Sequence, residues 1–231
     1  MIGQLRAGLG LLAALVAVSR VDAATQFAVD PEVVNNAFTA VFDTPIGERI
    51  TAVSSAIGCT LTVDETKREA RASCSVPLRT VRVDNDDTKT EHFGQWATNK
   101  QTDPNQCTFE LEVPVVKLPS PVEPKTPVRF TTEGRFTICG RHRDDNQPER
   151  IQGTVIYLPP GTYGAKRTLR IRATVEHFNR EKYGVSPKNT PGWLARVQQL
   201  APVVGTEGTI DVNLFATAAG DAAAGGQPNA E

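Results

Sequence analysis

The clearest pattern along the chain is a two-residue alternation that begins at Cys59. Cys59, Leu61 and Val63 alternate with Thr60, Thr62 and Asp64; after a polar stretch, Ala70, Ala72, Cys74, Val76 and Leu78 resume the pattern. Such alternation places apolar side chains on one face of a strand and polar ones on the other, so it predicts a β-hairpin with one dry face. With Thr66 and Lys67 at the centre of the turn, facing residues have numbers that sum to 133. Cys59 then faces Cys74, Leu61 faces Ala72, and Val63 faces Ala70. Non-hydrogen-bonded antiparallel partners stand about 4.5 Å apart at Cα, near the lower end of what a disulfide spans. The pairing predicts a Cys59–Cys74 bridge, with two buried free thiols as the alternative.

Further strands follow the same logic. Gln26 to Val29 and Ala37 to Phe42 read as early strands, and Pro45-Ile46-Gly47 turns the chain. Phe109, Leu111 and Val113 share a face with Cys107. Val128, Phe130, Phe136 and Ile138 share another, from which Cys139 is excluded. Cys107 and Cys139 are the two cysteines left, so a second bridge is expected, with a bulge at Gly134 or Gly140 to bring them together. Ile151, Gly153, Val155 and Tyr157 alternate next, then Leu169, Ile171, Ala173 and Val175, then Ile210, Val212 and Leu214. Strands this dense, separated by turn residues, argue for an antiparallel barrel or sandwich. Two short helical patches interrupt them: Thr90 to Thr98, with Phe93 and Trp96 on one side, and Trp193 to Ala201, with Thr190 as N-cap and Pro191 in the first turn.

Composition narrows the setting. Ala7 to Val18 is an apolar run behind Arg6, and Val21-Asp22-Ala23 supplies small residues for cleavage, so residues 1–23 read as a signal peptide. A membrane anchor would need about 20 apolar residues, and Arg20 and Asp22 interrupt this run. Cleavage near Ala23 implies a periplasmic or secreted protein and not an integral membrane one. The formal net charge is -1, which argues against nucleic acid as a partner. Four cysteines, 18 glycines and 16 prolines suit a turn-rich chain in an oxidising compartment. One domain is expected over residues 25–216, followed by a disordered Ala/Gly-rich tail over residues 217–231.

No chemistry stands out. There is no G-x-S-x-G element, phosphate loop or dinucleotide fingerprint. His92, His142 and His177 belong to no metal-ligand spacing, so neither a catalytic site nor a metal is expected. An enzyme would require His92 or His177 beside a carboxylate in a pocket.

Three segments carry a resemblance. They are Gly134-Arg135-Phe136-Thr137-Ile138-Cys139-Gly140, the stretch Phe178-Asn179-Arg180-Glu181-Lys182-Tyr183-Gly184-Val185, and Asp87 to Trp96 with His92 and Phe93. In order and spacing, from Gln26 to Ala216, the chain resembles the YceI-like family of exported proteins that bind polyisoprenoid lipids. The chain departs from that family in its four cysteines, its proline-rich Leu118 to Pro127 loop, the extra turn at Asp144 to Glu149, and Arg141-His142-Arg143 in place of Thr-Lys-Pro. The resemblance implies an all-β fold, an antiparallel lipocalin-like barrel with one or two short helices. It implies an apolar lipid as partner, an isoprenoid or isoprenoid quinone, and no other cofactor. Lumen candidates are Leu61, Val76, Phe109, Leu111, Phe136, Ile138, Val155 and Tyr157. Trp96, Phe178, Tyr183 and Trp193 are candidates for the mouth. The alternative is a structural or interaction module whose barrel is filled by its own side chains. The sequence leaves a homodimer open.

Overall fold

A computed structural model describes residues 24–30, 35–98, 103, 105–189 and 204–219. Residues 1–23, expected as a signal segment, and the expected helical patch containing Trp193 lie outside the described residues. In chain order the strands are β1 (Thr25–Val29), β2 (Ala37–Asp43), β3 (Arg49–Ser54), β4 (Gly58–Asp64), β5 (Glu69–Pro77) and β6 (Arg82–Val83). Helix α1 (Asp87–Thr98) follows, then β7 (Thr108–Lys117), β8 (Pro127–Ile138), β9 (Arg141–His142), β10 (Glu149–Leu158), β11 (Thr168–Asn179) and β12 (Glu207–Ala218).

These strands form one closed antiparallel barrel of eight staves. The order around it is β1-β4-β5-β7-β8-β10-β11-β12, and β12 returns to β1. Two staves are broken strands. The end of β12 pairs with β1 through Phe27↔Ala218, and its start pairs with β2 through Gly208↔Phe42, so β1 and β2 share one stave. Beside them, β3 pairs with β2 and β4 with β1, making a second bent stave. Closure removes the free edges that an open sheet would expose.

Alternation explains the interior. On β11, Leu169, Ile171 and Val175 are buried while Arg172 is exposed. Bulges correct the parity where alternation alone would fail. An extra residue in β7, opposite Ala70 and Ala72 of β5, lets both Val113 and Val116 face inward. A second in β11, between Val175 and Phe178, turns both of those side chains in, and its His177 takes a φ of 58°. Gly153 sits opposite Phe130 on β8, whose ring covers it. A Cβ there would also lie 2.7 Å from the Arg172 carbonyl oxygen.

The first hairpin has the expected register: Cys59↔Cys74, Leu61↔Ala72 and Val63↔Ala70. Cys59 and Cys74 are bridged, with Cα atoms 4.1 Å apart. Cys107 and Cys139 are also bridged, at 4.5 Å. The expected bulge is not what joins them, because β7 and β8 keep constant register from Phe109↔Ile138 to Glu112↔Arg135. Instead Cys139 and Gly140 form a left-handed turn, φ 49° and 75°, between β8 and β9. The tail boundary also shifts: Thr217 and Ala218 belong to β12, where Ala218 pairs with Phe27.

Helix α1 begins three residues before the predicted Thr90. The Asp86 carboxylate accepts from the Lys89 amide at 2.9 Å and caps it. Asp84 ties this end to β3 by accepting from the Thr51 amide at 2.8 Å and from Lys89 Nζ at 2.8 Å. At the other end, the Arg141 guanidinium donates to the carbonyl oxygens of Ala97 and Tyr183. Thus α1 is fixed across one end of the barrel.

Candidate functional site in the barrel lumen

The barrel is hollow. Midway along the strands, the inward-facing Leu111, Phe130, Ala173 and Val212 are only half-buried, although they point away from the outer solvent. Among the described residues, two chambers open in the lumen, one of about 440 Å³ and one of about 520 Å³. Both fall in the range of small-molecule sites, about 300–1,000 Å³.

The first chamber runs between β4, β5, β7, β8, β10, β11 and β12. Its outer end is bordered by the β4–β5 turn with Arg68, by Leu118, Pro121 and Val122 of the proline-rich loop, and by Arg167. That loop is held there because the Lys125 amide donates to the Tyr157 carbonyl at 2.8 Å. The second chamber lies at the opposite end, beneath α1. Ala40, Phe42, Ile50 and Ala52 form its strand wall, and Phe93 and Trp96 reach it from α1.

Of the lumen candidates, Leu61, Val76, Leu111, Val155 and Tyr157 line the first chamber. Ile138 and Phe178 line the second, as does Trp96. Phe109 and Phe136 border both. Tyr183 reaches neither and is therefore not a mouth residue. It is 1% exposed, stacks on Phe178 with ring centroids 5.0 Å apart, and donates its hydroxyl to Glu149 at 2.9 Å. Burial first, then the Glu149 carboxylate, pushes its phenol well above the ordinary tyrosine range. Trp193 lies outside the described residues.

Sequence reasoning missed several wall residues. Ala173, Val212 and Leu214 carried the alternation signal but were not singled out. Phe38 was hidden in an early strand, and the wall role of β3 was not anticipated. Arg180 was noted only within a motif. The residue is 4% exposed and borders the second chamber. It donates to the carbonyl oxygens of Val185 at 2.6 Å, Val204 at 2.8 Å and Gly205 at 3.1 Å, and lies 5.7 Å from the Trp96 ring centroid. Burial lowers its pKa, yet a guanidinium titrates far above neutrality and keeps its charge. The chamber is thus an apolar room with a buried guanidinium in its wall. Lys89, His92 and Lys188 border the same chamber, with Glu48 and Glu181 as the acidic members.

The histidines are dispersed. His177 sits 3.8 Å from the Glu207 carboxylate on the open surface, outside both chambers. His142 Nδ1 is 3.0 Å from the Thr137 hydroxyl. Among the described residues no three His, Cys, Asp or Glu side chains converge to hold a metal ion. No helix among them is long and apolar enough to cross a membrane.

Comparison with solved structures finds the same architecture in a polyisoprenoid-binding domain from Saccharophagus degradans implicated in plant cell wall breakdown. The TM-score is 0.57 at 14% identity, over 85% of this chain and 99% of that one. No family model matches the chain, and no curated protein matches it. The fold is therefore that of a lipocalin-like, all-β barrel.

Proposed function

We propose that this is an exported binding protein, YceI-like in kind, that holds a polyisoprenoid or similar long apolar lipid in its lumen. The carrying observation is the hollow interior walled by half-buried apolar side chains. The polyisoprenoid-binding neighbour supports the same reading. The two disulfides support an oxidising compartment, in keeping with cleavage near Ala23 and a periplasmic or secreted location.

Energetics favour a long chain over a compact ligand. Burying fifteen carbons contributes roughly 12 kcal/mol at about 0.8 kcal/mol per CH₂. Association costs on the order of 4–15 kcal/mol. Shorter chains leave little surplus, and no dense set of polar contacts is needed. A filled, purely structural barrel is the weaker reading, because the two chambers leave the interior open.

Native mass spectrometry of protein purified from its own exported fraction, followed by solvent extraction, tests the proposal. A stoichiometric prenyl or other long-chain lipid is expected. A clean apo mass that takes up no added prenyl lipid would remove the carrier function.

A further inference from the structure

The two chambers meet at a single aromatic partition. Among the described residues, Phe38, Phe109, Phe136 and Ile210 line both. Phe38 comes from β2 and Phe109 from β7, and two staves of the barrel separate these strands. Their contact is therefore made across the lumen and not between neighbours. The two rings are nearly parallel, with centroids 5.8 Å apart and planes inclined by 17°. Phe93 of α1 stacks on Phe109 in turn, at 6.0 Å and 24°. Phe136 is anchored edge-on against Phe178, with centroids 5.5 Å apart.

We infer that Phe109, stacked between Phe38 and Phe93, is a chain-length determinant that divides the lumen into two short compartments. The inference rests on the lipid-binding reading above and adds which lipids it selects. A cavity of about 150 Å³ accepts one benzene ring, six carbons. By that measure chambers of 440 and 520 Å³ hold roughly 18 and 21 carbons, about four prenyl units each. A chain of 15 carbons fits in either compartment with the stack intact. A chain of 40 carbons fits only by using both, and it must part Phe109 from Phe38. The selective element is thus a ring–ring contact in the middle of the lumen, not a feature of either mouth.

The test compares 15-carbon and 40-carbon prenyl alcohols, titrated separately into the wild type, Phe109→Leu and Phe38→Leu, with bound mass read by native mass spectrometry. The wild type is expected to take up to two 15-carbon chains per barrel and to bind the 40-carbon chain at least tenfold more weakly. Either leucine variant should raise the ratio of 40-carbon to 15-carbon binding about tenfold. A far-UV circular dichroism spectrum like that of the wild type shows that the barrel is still folded. Two variants guard against one failing to fold. A ratio unchanged from wild type in a variant that still binds the short chain overturns the length filter and leaves lipid binding standing. A wild type that binds neither chain overturns the lipid reading and the filter with it.

Discussion

Glu149 is a buried carboxylate, 4% exposed, at the root of a network that joins it to Tyr183, Arg143, Asp145 and Lys182. It accepts from Tyr183 Oη at 2.9 Å and from Arg143 at 2.8 Å. Arg143 also donates to Asp145 at 2.7 Å, and Lys182 donates to Asp145 at 2.6 Å. Tyr183→Phe removes a bond to a charged acceptor and leaves its packing in place. We expect a loss of about 1.5–3 kcal/mol in denaturant unfolding, with lipid uptake little changed. Lys182 above all, then Arg143, holds the Asp145 carboxyl well below the usual carboxylate range. A depressed value means the folded state resists protonation, so the stabilisation is full above about pH 4 and fades as pH falls through the lower folded value. Asp145→Asn should therefore melt below the wild type at pH 7, with the gap narrowing steadily from about pH 4 downward. A gap constant with pH would show that the carboxylate charge is irrelevant. This network was illegible in the sequence. Tyr183 stood out as an aromatic in a motif, but nothing in the local pattern says that its hydroxyl ends at Glu149, 34 residues away.

The strands differ in how openly they announced themselves. The β4–β5 hairpin was legible to the residue, because a strict alternation and a four-residue polar turn fix its register. Strand β3 was not, since its Val53 faces outward at 42% exposure and breaks the alternation of Ile50 and Ala52. The two bulges were equally hidden, because each inserts one residue that scrambles parity. The second disulfide was expected by elimination, yet its geometry depends on the left-handed Cys139-Gly140 turn, which reads as ordinary turn sequence. Replacing Cys59 and Cys74 by serine, closing 15 residues, should lower stability by about 3 kcal/mol. Replacing Cys107 and Cys139, closing 32, should cost roughly 0.7 kcal/mol more in the loop-entropy picture. Equilibrium unfolding of both pairs checks the order. Gly153→Ala forces a methyl against the Phe130 ring and the Arg172 carbonyl. It should destabilise by about 1–3 kcal/mol in the same assay, and a neutral result would mean the β10 wall yields.

At the scale of the whole molecule, closure of eight staves creates an interior, and the side chains decide whether it is filled. The inward pattern was mixed, with Ala70 and Ala72 on one hairpin and Phe109, Phe130 and Phe136 on the next. Alternation tells which residues face inward but not how far each reaches across a barrel, so a filled lumen and a hollow one looked alike in sequence. The structure separates them: small residues open the first chamber, α1 roofs the second, and Phe38 and Phe109 meet between. The most direct test of the account is a crystal structure of the protein grown with a 15-carbon prenyl alcohol. The account predicts a chain inside the barrel, packed against Leu111 and Val155 in one chamber or against Phe93 and Trp96 in the other. An empty lumen at saturating lipid, or a chain bound only on the outer wall, would contradict it.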